Sequence, residues 1–402
     1  MSATTAMPAS PLRPLGLTRA EFVEAARAAG RRAGSALDEY RALFRDGVVP
    51  AWCTVPDHPI TATLVEGETS KFVLRLTDEG YEGLETESVL IPMPRSTGTT
   101  TTLCVSSQVG CAMGCRFCET AQMGLIRNLR ADQIVHQWWA ATHRVQRSTA
   151  QPVQNAVKNP VKNPVKNIVF MGMGEPTDNI DAVISAIRVL VDHDGAQVPA
   201  SNISISTVGN PDGIVRIGEL VRERGFHRLN LALSLNAPND EIRSQIMPVN
   251  KAWPMARLKE ALLAFPRYSQ AAFCVEYVLI PGVNDADEHC DEVCAFLREI
   301  RCSLNVIPYN PRRNSPWPAP DERDVERFVA RAVANGQFTK RRGTKGRNVM
   351  AACGQLGNER IRNRREVCDD GSTRPVALRV PIRGQRDADA MPTHNQKAAR
   401  DE

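Results

Sequence analysis

The stretch TLCVSSQVGCAMGCRFC, Thr102–Cys118, decides the fold class because it joins a strand to a loop of cysteines. Its first four residues, 102–105, are of the types that strands favour. Three cysteines then follow in the spacing CxxxCxxC: Cys111, Cys115 and Cys118. Cysteine thiolates are the ligands of iron–sulfur clusters. Three of them leave one iron of a [4Fe–4S] cluster open, and an open metal position is where a substrate can coordinate.

A zinc knuckle is the alternative for this loop. It would need a fourth cysteine or histidine at a short, regular offset. The next candidates, His136 and His143, lie in the helix predicted to follow. The spacing and the preceding strand therefore favour the iron–sulfur cluster.

Strand-like and helix-like runs alternate from residue 101 onward. The predicted strands cover 102–105, 168–173, 202–207, 229–235, 273–280 and 303–308. The predicted helices cover 131–145, 180–191, 213–224, 255–264, 286–299 and 321–334. Six consecutive βα units predict an α/β fold with a parallel sheet, which we expect to form a partial (βα)6 TIM-like barrel. Chemistry in such sheets lies at the carboxyl ends of the strands.

Smaller units flank the predicted barrel core, 98–345. Residues 1–50 predict a small helical unit, in which Thr18 and Glu21 match a capping box. Residues 51–97 alternate as half-buried antiparallel strands do and predict a short connecting β element. Residues 146–167 are a low-complexity insert whose VKNP repeat predicts a surface loop, because proline prevents helix and ladder pairing. We expect a further region at 346–374, which contains Cys353, and a disordered tail at 375–402.

Composition restricts the class of protein. The chain has 402 residues, a net charge of +5 and eleven cysteines. No run approaches the ~18 apolar residues of a membrane span, and no apolar segment opens the chain. We therefore expect a cytoplasmic protein whose clustered cysteines serve metal binding or catalysis. The mild positive charge is compatible with a nucleic-acid partner. Two stretches are strongly basic: Lys340, Arg341, Arg342, Lys345 and Arg347, and then Arg360, Arg362, Arg364 and Arg365.

Polar residues recur where the predicted barrel strands end. GMGEP, residues 172–176, follows the second strand, and its glycines let the backbone approach a ligand while Glu175 can accept from an ammonium group. Further polar residues end later strands: Ser206, Ser234, Asn236 and Asn310. Each alone is as well explained as a turn or cap residue. Together they predict a ring of hydrogen-bonding groups around one ligand.

The cysteines outside the loop divide into two groups. Cys104 lies on the strand that leads into the loop, and Cys353 lies in AACGQL after a basic stretch. A small buried hydrophobic residue is the ordinary role of a free cysteine. We assign that role to Cys274, Cys290, Cys294 and Cys302. Cys53 and Cys368 have no assignment.

Taken jointly, these motifs resemble the RlmN/Cfr family of radical S-adenosylmethionine (SAM) RNA methyltransferases. The matching segments, which lie between about residues 87 and 356, are Thr102–Cys118, Arg127–Arg130, Met171–Pro176, Ser234–Asp240 and Ala351–Leu356. The resemblance implies a barrel of the radical SAM type, a [4Fe–4S] cluster and SAM. It also implies methylation of an adenosine carbon in 23S rRNA, with C2 favoured, and in some members of a tRNA adenosine.

The resemblance further implies a route that uses two SAM molecules. One methylates Cys353, and the second is cleaved to a deoxyadenosyl radical that takes a hydrogen from this methyl group. The carbon radical adds to adenine. Cys104 then attacks Cys353 and releases the product, leaving a transient disulfide.

Site residues carry over position by position. Cys111, Cys115 and Cys118 match the cluster ligands, and Glu87 matches the proton acceptor. Matches to the SAM contacts are Gly174, Glu175, Ser206, Ser234, Leu235, Asn236 and Asn310. The partners implied are the RNA and an electron donor such as flavodoxin or ferredoxin.

Alternatives remain at this point. The carbon methylated could be C8, as in the Cfr branch. A radical SAM enzyme acting on a protein or small molecule, or a non-catalytic metal-stabilised RNA-binding protein, would also fit the cysteine loop. Cys104 and Cys353 argue against the radical SAM enzyme with another substrate, because generic radical SAM chemistry needs neither. The RNA-binding protein predicts a colourless protein with bound zinc, whereas an iron–sulfur protein is brown. Glu119 and the sequence GRNVM at 346–350 depart from the pattern of the family.

Overall fold

The computed structural model describes residues 12–95, 98–145, 165–266, 268 and 272–358, together with the backbone of two short strands, Arg365–Val367 and Thr373–Pro375. The first residues, most of the predicted repeat insert, Cys368 and the predicted tail lie outside this part of the chain. Among the described residues, no helix has the length and apolar character needed to cross a membrane.

Two helices form the N-terminal unit, α1 (Arg19–Ala28) and α2 (Ala33–Arg45). The predicted capping box is present, since the Thr18 side chain accepts from the backbone N–H of Glu21 and the Glu21 side chain accepts from that of Thr18. This satisfies donors that a helix start leaves unpaired. The aromatic ring of Phe22 packs against that of Tyr40 with centroids 5.3 Å apart, which joins the two helices.

In the described part of the chain, twelve strands precede residue 342. They are β1 (Ile60–Glu66), β2 (Thr69–Arg75), β3 (Glu85–Arg95), β4 (Gly98–Cys104), β5 (Gln108–Gly110), β6 (Leu125–Asn128), β7 (Val165–Phe170), β8 (Ile203–Thr207), β9 (Asn230–Ser234), β10 (Phe273–Leu279), β11 (Cys302–Pro308) and β12 (Thr339–Arg341). All except β5 and β6 form one sheet in the order β1-β2-β3-β4-β7-β8-β9-β10-β11-β12. Pairing is antiparallel from β1 to β4 and parallel from β4 to β12.

The helices that complete the described chain are α3 (Glu119–Gln122), α4 (Ala131–Ala140), α5 (Ile180–Val191), α6 (Pro211–Arg222), α7 (Asp240–Ile246), α8 (Met255–Ala264), α9 (Asp287–Leu297) and α10 (Glu322–Ala334). A π-helical turn, Ala141–Val145, extends α4. Each predicted βα unit is present, and β12 adds a seventh parallel strand. The α/β fold with a partial barrel is therefore confirmed.

The N-terminal unit is fixed to the barrel through α4. Trp139 of α4 donates to the carbonyl of Leu43 at 3.1 Å, and His143 in the following turn lies 3.0 Å from the carbonyl of Phe44. Both carbonyls belong to the last turn of α2, where a helix leaves carbonyl groups without partners. The contacts therefore satisfy the end of α2 while joining it to the barrel.

The chain after β12 connects the two ends of the open sheet. Arg347 Nε donates to Asn310 Oδ1, just beyond β11, at 3.1 Å. The backbone N–H of Asn348 donates to Glu66 Oε2 on β1 at 2.8 Å. We call residues 343–358 the C-terminal segment. It crosses the carboxyl edge of the sheet, which is the edge where the site forms.

Candidate functional site

A cavity opens at the carboxyl ends of the parallel strands. Its walls come from four parts of the chain: the cysteine loop, the turn after β7, the ends of β8 to β11, and the C-terminal segment. Most of the predicted site residues line it: Cys111, Cys115, Cys118, Gly174, Glu175, Ser206, Ser234, Asn236, Asn310 and Cys353. Leu235, Cys104 and Glu87 are not among its lining residues.

The cysteine loop is held at its ends and its middle by backbone hydrogen bonds. The N–H of Cys111 donates to the Gly124 carbonyl at 3.0 Å, and the N–H of Arg116 donates to the Ile246 carbonyl at 2.9 Å. The sharp bend between them uses Gly114, whose φ of +70° suits glycine. The loop therefore presents its three thiols to the cavity from one compact turn.

Burial raises the pKa of all three loop thiols, and repulsion from neighbouring loop thiols raises the pKa of Cys111 and Cys115 further. A buried thiol group of this kind is neutral until a metal draws off its proton. Within the described residues, no three His, Cys, Asp or Glu side chains converge on a point that could hold a single metal ion. A [4Fe–4S] cluster uses a separate iron for each thiolate. The donor set fits such a cluster.

The turn after β7 is packed so tightly that only glycine fits at two positions. A Cβ on Gly172 would lie 2.6 Å from the Val105 carbonyl oxygen, and one on Gly174 would lie 2.6 Å from Gln108 Cβ. Gly174 also has a φ of +103°. The turn thus lies directly against the strand end that leads into the cysteine loop, with its backbone exposed to the cavity.

Glu175 is anchored by protein groups. Its Oε2 accepts from the N–H of Val208 at 3.0 Å, and its Oε1 accepts from the N–H of Thr177 at 3.1 Å and from the Thr177 hydroxyl. Burial raises the pKa of this carboxyl, and these hydrogen bonds oppose the shift. These contacts hold the carboxylate in a fixed position at the cavity wall.

The ends of β8, β9 and β10 converge on a carboxylate that the sequence analysis missed. Ser206 Oγ donates to Glu276 Oε2 at 3.0 Å, and Ser234 Oγ lies 3.4 Å from the same oxygen. Glu276 also pairs with Arg342, whose Nη1 lies 2.8 Å from Oε1. Both serines line the cavity as predicted, and Glu276 lines it beside them. The signal available in the sequence was a charge inside the apolar strand FCVEYVL.

Asn236 and Leu235 serve the cavity differently. Asn236 has a left-handed backbone, with a φ of +59°, and its Oδ1 accepts from the N–H of Val278 at 2.9 Å. Leu235 has a fully buried side chain. Its carbonyl accepts from Arg243 Nε at 3.1 Å. A ligand in the cavity would meet Leu235 through its backbone only.

Arg243 of α7 is a buried cation that the sequence analysis also missed. Its side chain is 0% exposed. Its guanidinium donates to Asn250 Oδ1 at 2.7 Å and to the carbonyls of Leu235 and Val208. Burial lowers its pKa to about 10, and the Cys115 thiol opposes that shift. The arginine thus fixes the loops after β8 and β9 behind the cysteine loop.

The C-terminal segment brings Cys353 to the cavity although this residue is far from the cysteine loop in sequence. The Glu119 N–H donates to the Gly354 carbonyl at 2.7 Å, and Thr120 Oγ1 donates to the Leu356 carbonyl at 2.6 Å. Cys353 is therefore held next to Cys118, the last cysteine of the loop.

Glu119, the departure noted in the sequence, also has a structural role. Its Oε2 accepts from the N–H of Arg313 at 3.2 Å, and its Oε1 pairs with Arg313 Nη1 at 3.4 Å. Arg313 in turn donates to the Gly357 carbonyl at 3.2 Å. This pair ties the loop after β11 to the C-terminal segment beside the cysteines.

Cys104 lies at the end of β4, buried behind the cavity. Burial and the nearby Cys353 thiol raise its pKa to about 12, and Arg342 opposes the shift. The ten described cysteines are all free thiols, so the disulfide bond that the sequence led us to expect is not supported by the structure.

Glu87 lies outside the cavity, against the C-terminal segment. Its Oε2 accepts from Lys71 Nζ at 3.2 Å and from the N–H of Gly357 at 3.3 Å. Lys71 Nζ also donates to the Met350 carbonyl at 3.0 Å. The Lys71–Glu87 pair is buried and holds the segment against β2 and β3.

Comparison with known proteins agrees with this geometry. The profile of the radical SAM superfamily matches residues 105–294. The protein named "Probable dual-specificity RNA methyltransferase RlmN 1" from Protochlamydia amoebophila is 40% identical over 307 residues, which cover 76% of this chain and 78% of that protein. The "Dual-specificity RNA methyltransferase RlmN" from Syntrophotalea carbinolica is 38% identical over 288 residues, 72% of this chain and 69% of that protein.

A solved structure agrees as well. The crystal structure of a radical SAM methyltransferase from Sphaerobacter thermophilus superposes with a TM-score of 0.74 at 33% identity, covering 86% of this chain and 99% of that one. Enzymes of the superfamily use a [4Fe–4S] cluster and SAM, and the cavity has the donor groups for both. The chain therefore belongs to the RlmN family of radical SAM RNA methyltransferases.

Proposed function

We propose that this protein methylates C2 of an adenosine in 23S rRNA, and also a tRNA adenosine, through a methylated Cys353. The observation that carries the proposal is that Cys353 lines the same cavity as Cys111, Cys115 and Cys118. A methyl group on its sulfur would lie in the space where a radical is generated. The names of the relatives, RNA methyltransferases of dual specificity, support RNA as the substrate class.

The proposed cofactor contacts follow the walls of the cavity. Cys111, Cys115 and Cys118 hold the [4Fe–4S] cluster. The residues proposed to bind SAM are Gly174, Glu175, Ser206, Ser234, Leu235, Asn236 and Asn310, with Leu235 acting through its backbone. When bound, the cluster supplies the electron for reductive cleavage of SAM, and SAM supplies both the methyl group and the radical.

Cys353 is proposed to act as the methyl carrier. The segment around it turns sharply: Met350 has a φ of +51° and Gly354 a φ of +82°. Gln355 Nε2 donates to the Pro311 carbonyl at 3.0 Å, which holds the turn onto the loop after β11. A sulfur fixed at the cavity wall can accept a methyl group from one ligand and present it to the next without leaving the site.

Cys104 is proposed to release the product by attacking the Cys353 sulfur, which leaves a transient disulfide. Glu87 is the proposed proton acceptor. Its carboxylate contacts the segment that carries Cys353, through the N–H of Gly357. Thiol exchange needs a thiolate within reach of the sulfur that it attacks. The N–H of Gly172 donates to the carbonyl of Val105, the residue after Cys104, at 3.1 Å, and Gly172 lines the cavity together with Cys353, which supports that reach.

Basic side chains near the cavity fit an RNA partner. Arg116 lies in the cysteine loop with its side chain exposed, and Arg312 Nε donates to the Arg116 carbonyl at 2.7 Å. Lys345 of the C-terminal segment is exposed and donates to the Pro92 carbonyl at 3.0 Å. Enzymes that modify a base take it out of its stack, so the target adenosine is proposed to enter the cavity unstacked from its neighbours. A flavodoxin or ferredoxin is the proposed electron donor, and the cytoplasm the proposed location.

The test is to substitute Cys104 with alanine. We expect Cys104→Ala to bind its cluster and methylate Cys353 but to stop as a covalent enzyme–RNA adduct, because no thiol remains to break the carbon–sulfur bond. Denaturing electrophoresis with labelled RNA measures the adduct. Cys53→Ala, a buried cysteine of the N-terminal region, is the control and should turn over without adduct. Full turnover by Cys104→Ala would contradict the proposal.

A further inference from the structure

An ion pair outside the predicted site connects the cavity to Cys104. Glu276 of β10 lines the cavity, and Arg342 follows directly after β12. Their side chains meet at 2.8 Å between Arg342 Nη1 and Glu276 Oε1. Glu276 is almost fully buried, and its other oxygen accepts from Ser206 at 3.0 Å. The carboxylate is therefore fixed from both sides.

The guanidinium of Arg342 has a fixed place between strands. The backbone N–H of Arg342 donates to the Val306 carbonyl at 2.9 Å, which continues the β11–β12 ladder. Nη1 and Nη2 lie 3.8 and 3.9 Å from the sulfur of Met171. Met171 directly follows β7, which pairs with β4 so that Val169 lies opposite Cys104. The cation thus lies against the strand end beside Cys104.

Three charged or titratable groups in the described part of the chain act most strongly on the pKa of Cys104. They are Cys353 of the C-terminal segment, Glu276 of β10 and Arg342. The first two disfavour a negative charge on the Cys104 sulfur, and Arg342 favours it. Arg342 interacts most strongly with Cys353 and also with Cys104. The charge of Arg342 therefore acts on both members of the proposed cysteine pair.

Release of the product places a specific demand on Cys104. A buried thiol is a poor nucleophile because exchange needs the thiolate. The Cys104 side chain is in the core, where water cannot stabilise a negative sulfur. A neighbouring fixed cation can replace that hydration.

We propose that Arg342, held by Glu276, is a positioning residue for product release, whose charge stabilises the Cys104 thiolate as it attacks Cys353. The inference rests on the resolving role of Cys104 proposed above. In this step the Cys104–Cys353 sulfur–sulfur bond forms, and the bond from Cys353 sulfur to the methylene carbon on adenine breaks. The electron pair passes to that carbon, which takes up a proton and becomes the product methyl group. The proton that Cys104 loses balances the one that the carbon gains.

A purely structural ion pair is the competing explanation, and the charge-conserving variant separates the two. Arg342→Gln removes the cation, and Arg342→Lys keeps it. Arg341→Gln is the matched control, because Arg341 is the preceding residue, is exposed and pairs with Glu322 of α10. The first readout needs no RNA: the anaerobic holoenzyme is treated with methyl methanethiosulfonate, and Cys104 labelling is followed by peptide mass spectrometry across pH.

We expect Arg342→Gln to slow Cys104 labelling at neutral pH by roughly tenfold and to move the pH profile of labelling to higher pH. The reason is that an adjacent cation lowers the pKa of a thiol by about one or more. Arg342→Lys should recover most of the rate, and Arg341→Gln should match the unmodified protein. Equal labelling of Arg342→Gln and the unmodified protein would overturn the proposal, as would failure of Arg342→Lys to recover any rate.

The second readout is a single turnover with RNA. Arg342→Gln should methylate Cys353 and then accumulate the covalent adduct, whereas the unmodified protein clears it. If Cys104→Ala forms no adduct, the proposed function fails while the labelling experiment still decides on Arg342.

If Arg342→Gln does not fold, the double variant Arg342→Gln/Glu276→Gln replaces it, because that variant leaves no unpaired buried charge. It should label as slowly as predicted for the single variant, and rapid labelling would overturn the proposal.

Discussion

The side chain of His136 on α4 is buried, and its ring centroid lies 4.6 Å from that of His58. Burial lowers its pKa to about 3, and the charges of His58 and Arg144 add to the effect. The folded pKa is therefore below the ordinary value of 6.5. Between pH 6.5 and pH 3, His136 is protonated in the unfolded chain but stays neutral in the folded protein. Stability is then complete above pH 6.5 and falls as the pH drops toward 3.

This gives a prediction for acid unfolding. In urea titrations, the free energy of unfolding should fall by at most about 1.4 kcal/mol for each pH unit below the ordinary histidine pKa. His136→Gln should flatten that slope, and the exposed His193→Gln should leave it unchanged. An equal slope in His136→Gln and the unmodified protein would contradict the argument.

Asp78 acts in a separate, more acidic window. Burial alone would raise the pKa of its carboxyl, but hydrogen bonds from His58, Arg13 and Gln133 hold it well below its ordinary value. Its contribution to stability is present above that ordinary pKa and is lost only at lower pH. The stability that Asp78 contributes is therefore lost at lower pH than the stability that His136 contributes.

At the scale of elements, the C-terminal segment is fixed by side chains that the fold buries beneath it. Lys71 pairs with Glu87 and also caps the Met350 carbonyl, and both partners of the ion pair are almost fully buried. Removing one partner of a buried pair leaves an uncompensated charge and costs about 3–5 kcal/mol. Loss of the pair would therefore destabilise the contact between the C-terminal segment and strands β2 and β3.

Lys71→Met is therefore expected to loosen the C-terminal segment. Amide hydrogen exchange should become faster in residues 343–358 while the strands β8 and β9 remain protected. Lys259→Met, which removes a surface pair with Glu299, is the control and should leave both regions as they were. Unchanged exchange in the segment of Lys71→Met would mean that other contacts hold it.

Element bounds followed from periodicity wherever the apolar pattern was long. The predictions 180–191 and 255–264 coincide with α5 and α8. The strands β5, β6 and β12 and the helix α7 were missed. β12 is only Thr-Lys-Arg, and its strand conformation comes from pairing with β11 rather than from its own residues. Short elements of this kind depend on tertiary contacts, which no local pattern records.

The same limit applies to the site. The cavity-lining cysteines, serines and asparagines could be predicted because motif and strand-end position coincide. Arg342 could not be separated from its exposed basic neighbours, because only β12 orients it toward Glu276. Predictions for the roles of Glu87, Leu235 and the other site residues, and for the boundaries of the domains, stay predictions.

At the scale of the whole molecule, the sheet and the C-terminal segment bring distant residues to one cavity. Cys104 ends a strand near the start of the barrel, and Cys353 follows its last strand. The segment that carries Cys353 reaches from Asn310 beyond β11 to Glu66 on β1. The segment that spans the open side of the barrel is therefore also the segment that carries Cys353 to the cavity.

Transfer of a methyl group from Cys353 to an adenine carbon is the central claim. The most direct measurement incubates the anaerobically reconstituted protein with SAM carrying a labelled methyl group, a reductant and RNA, and analyses the nucleosides by mass spectrometry. We expect labelled 2-methyladenosine with the unmodified protein and none with Cys353→Ala. Labelled 2-methyladenosine from Cys353→Ala, or no methylated adenosine from the unmodified protein, would contradict it.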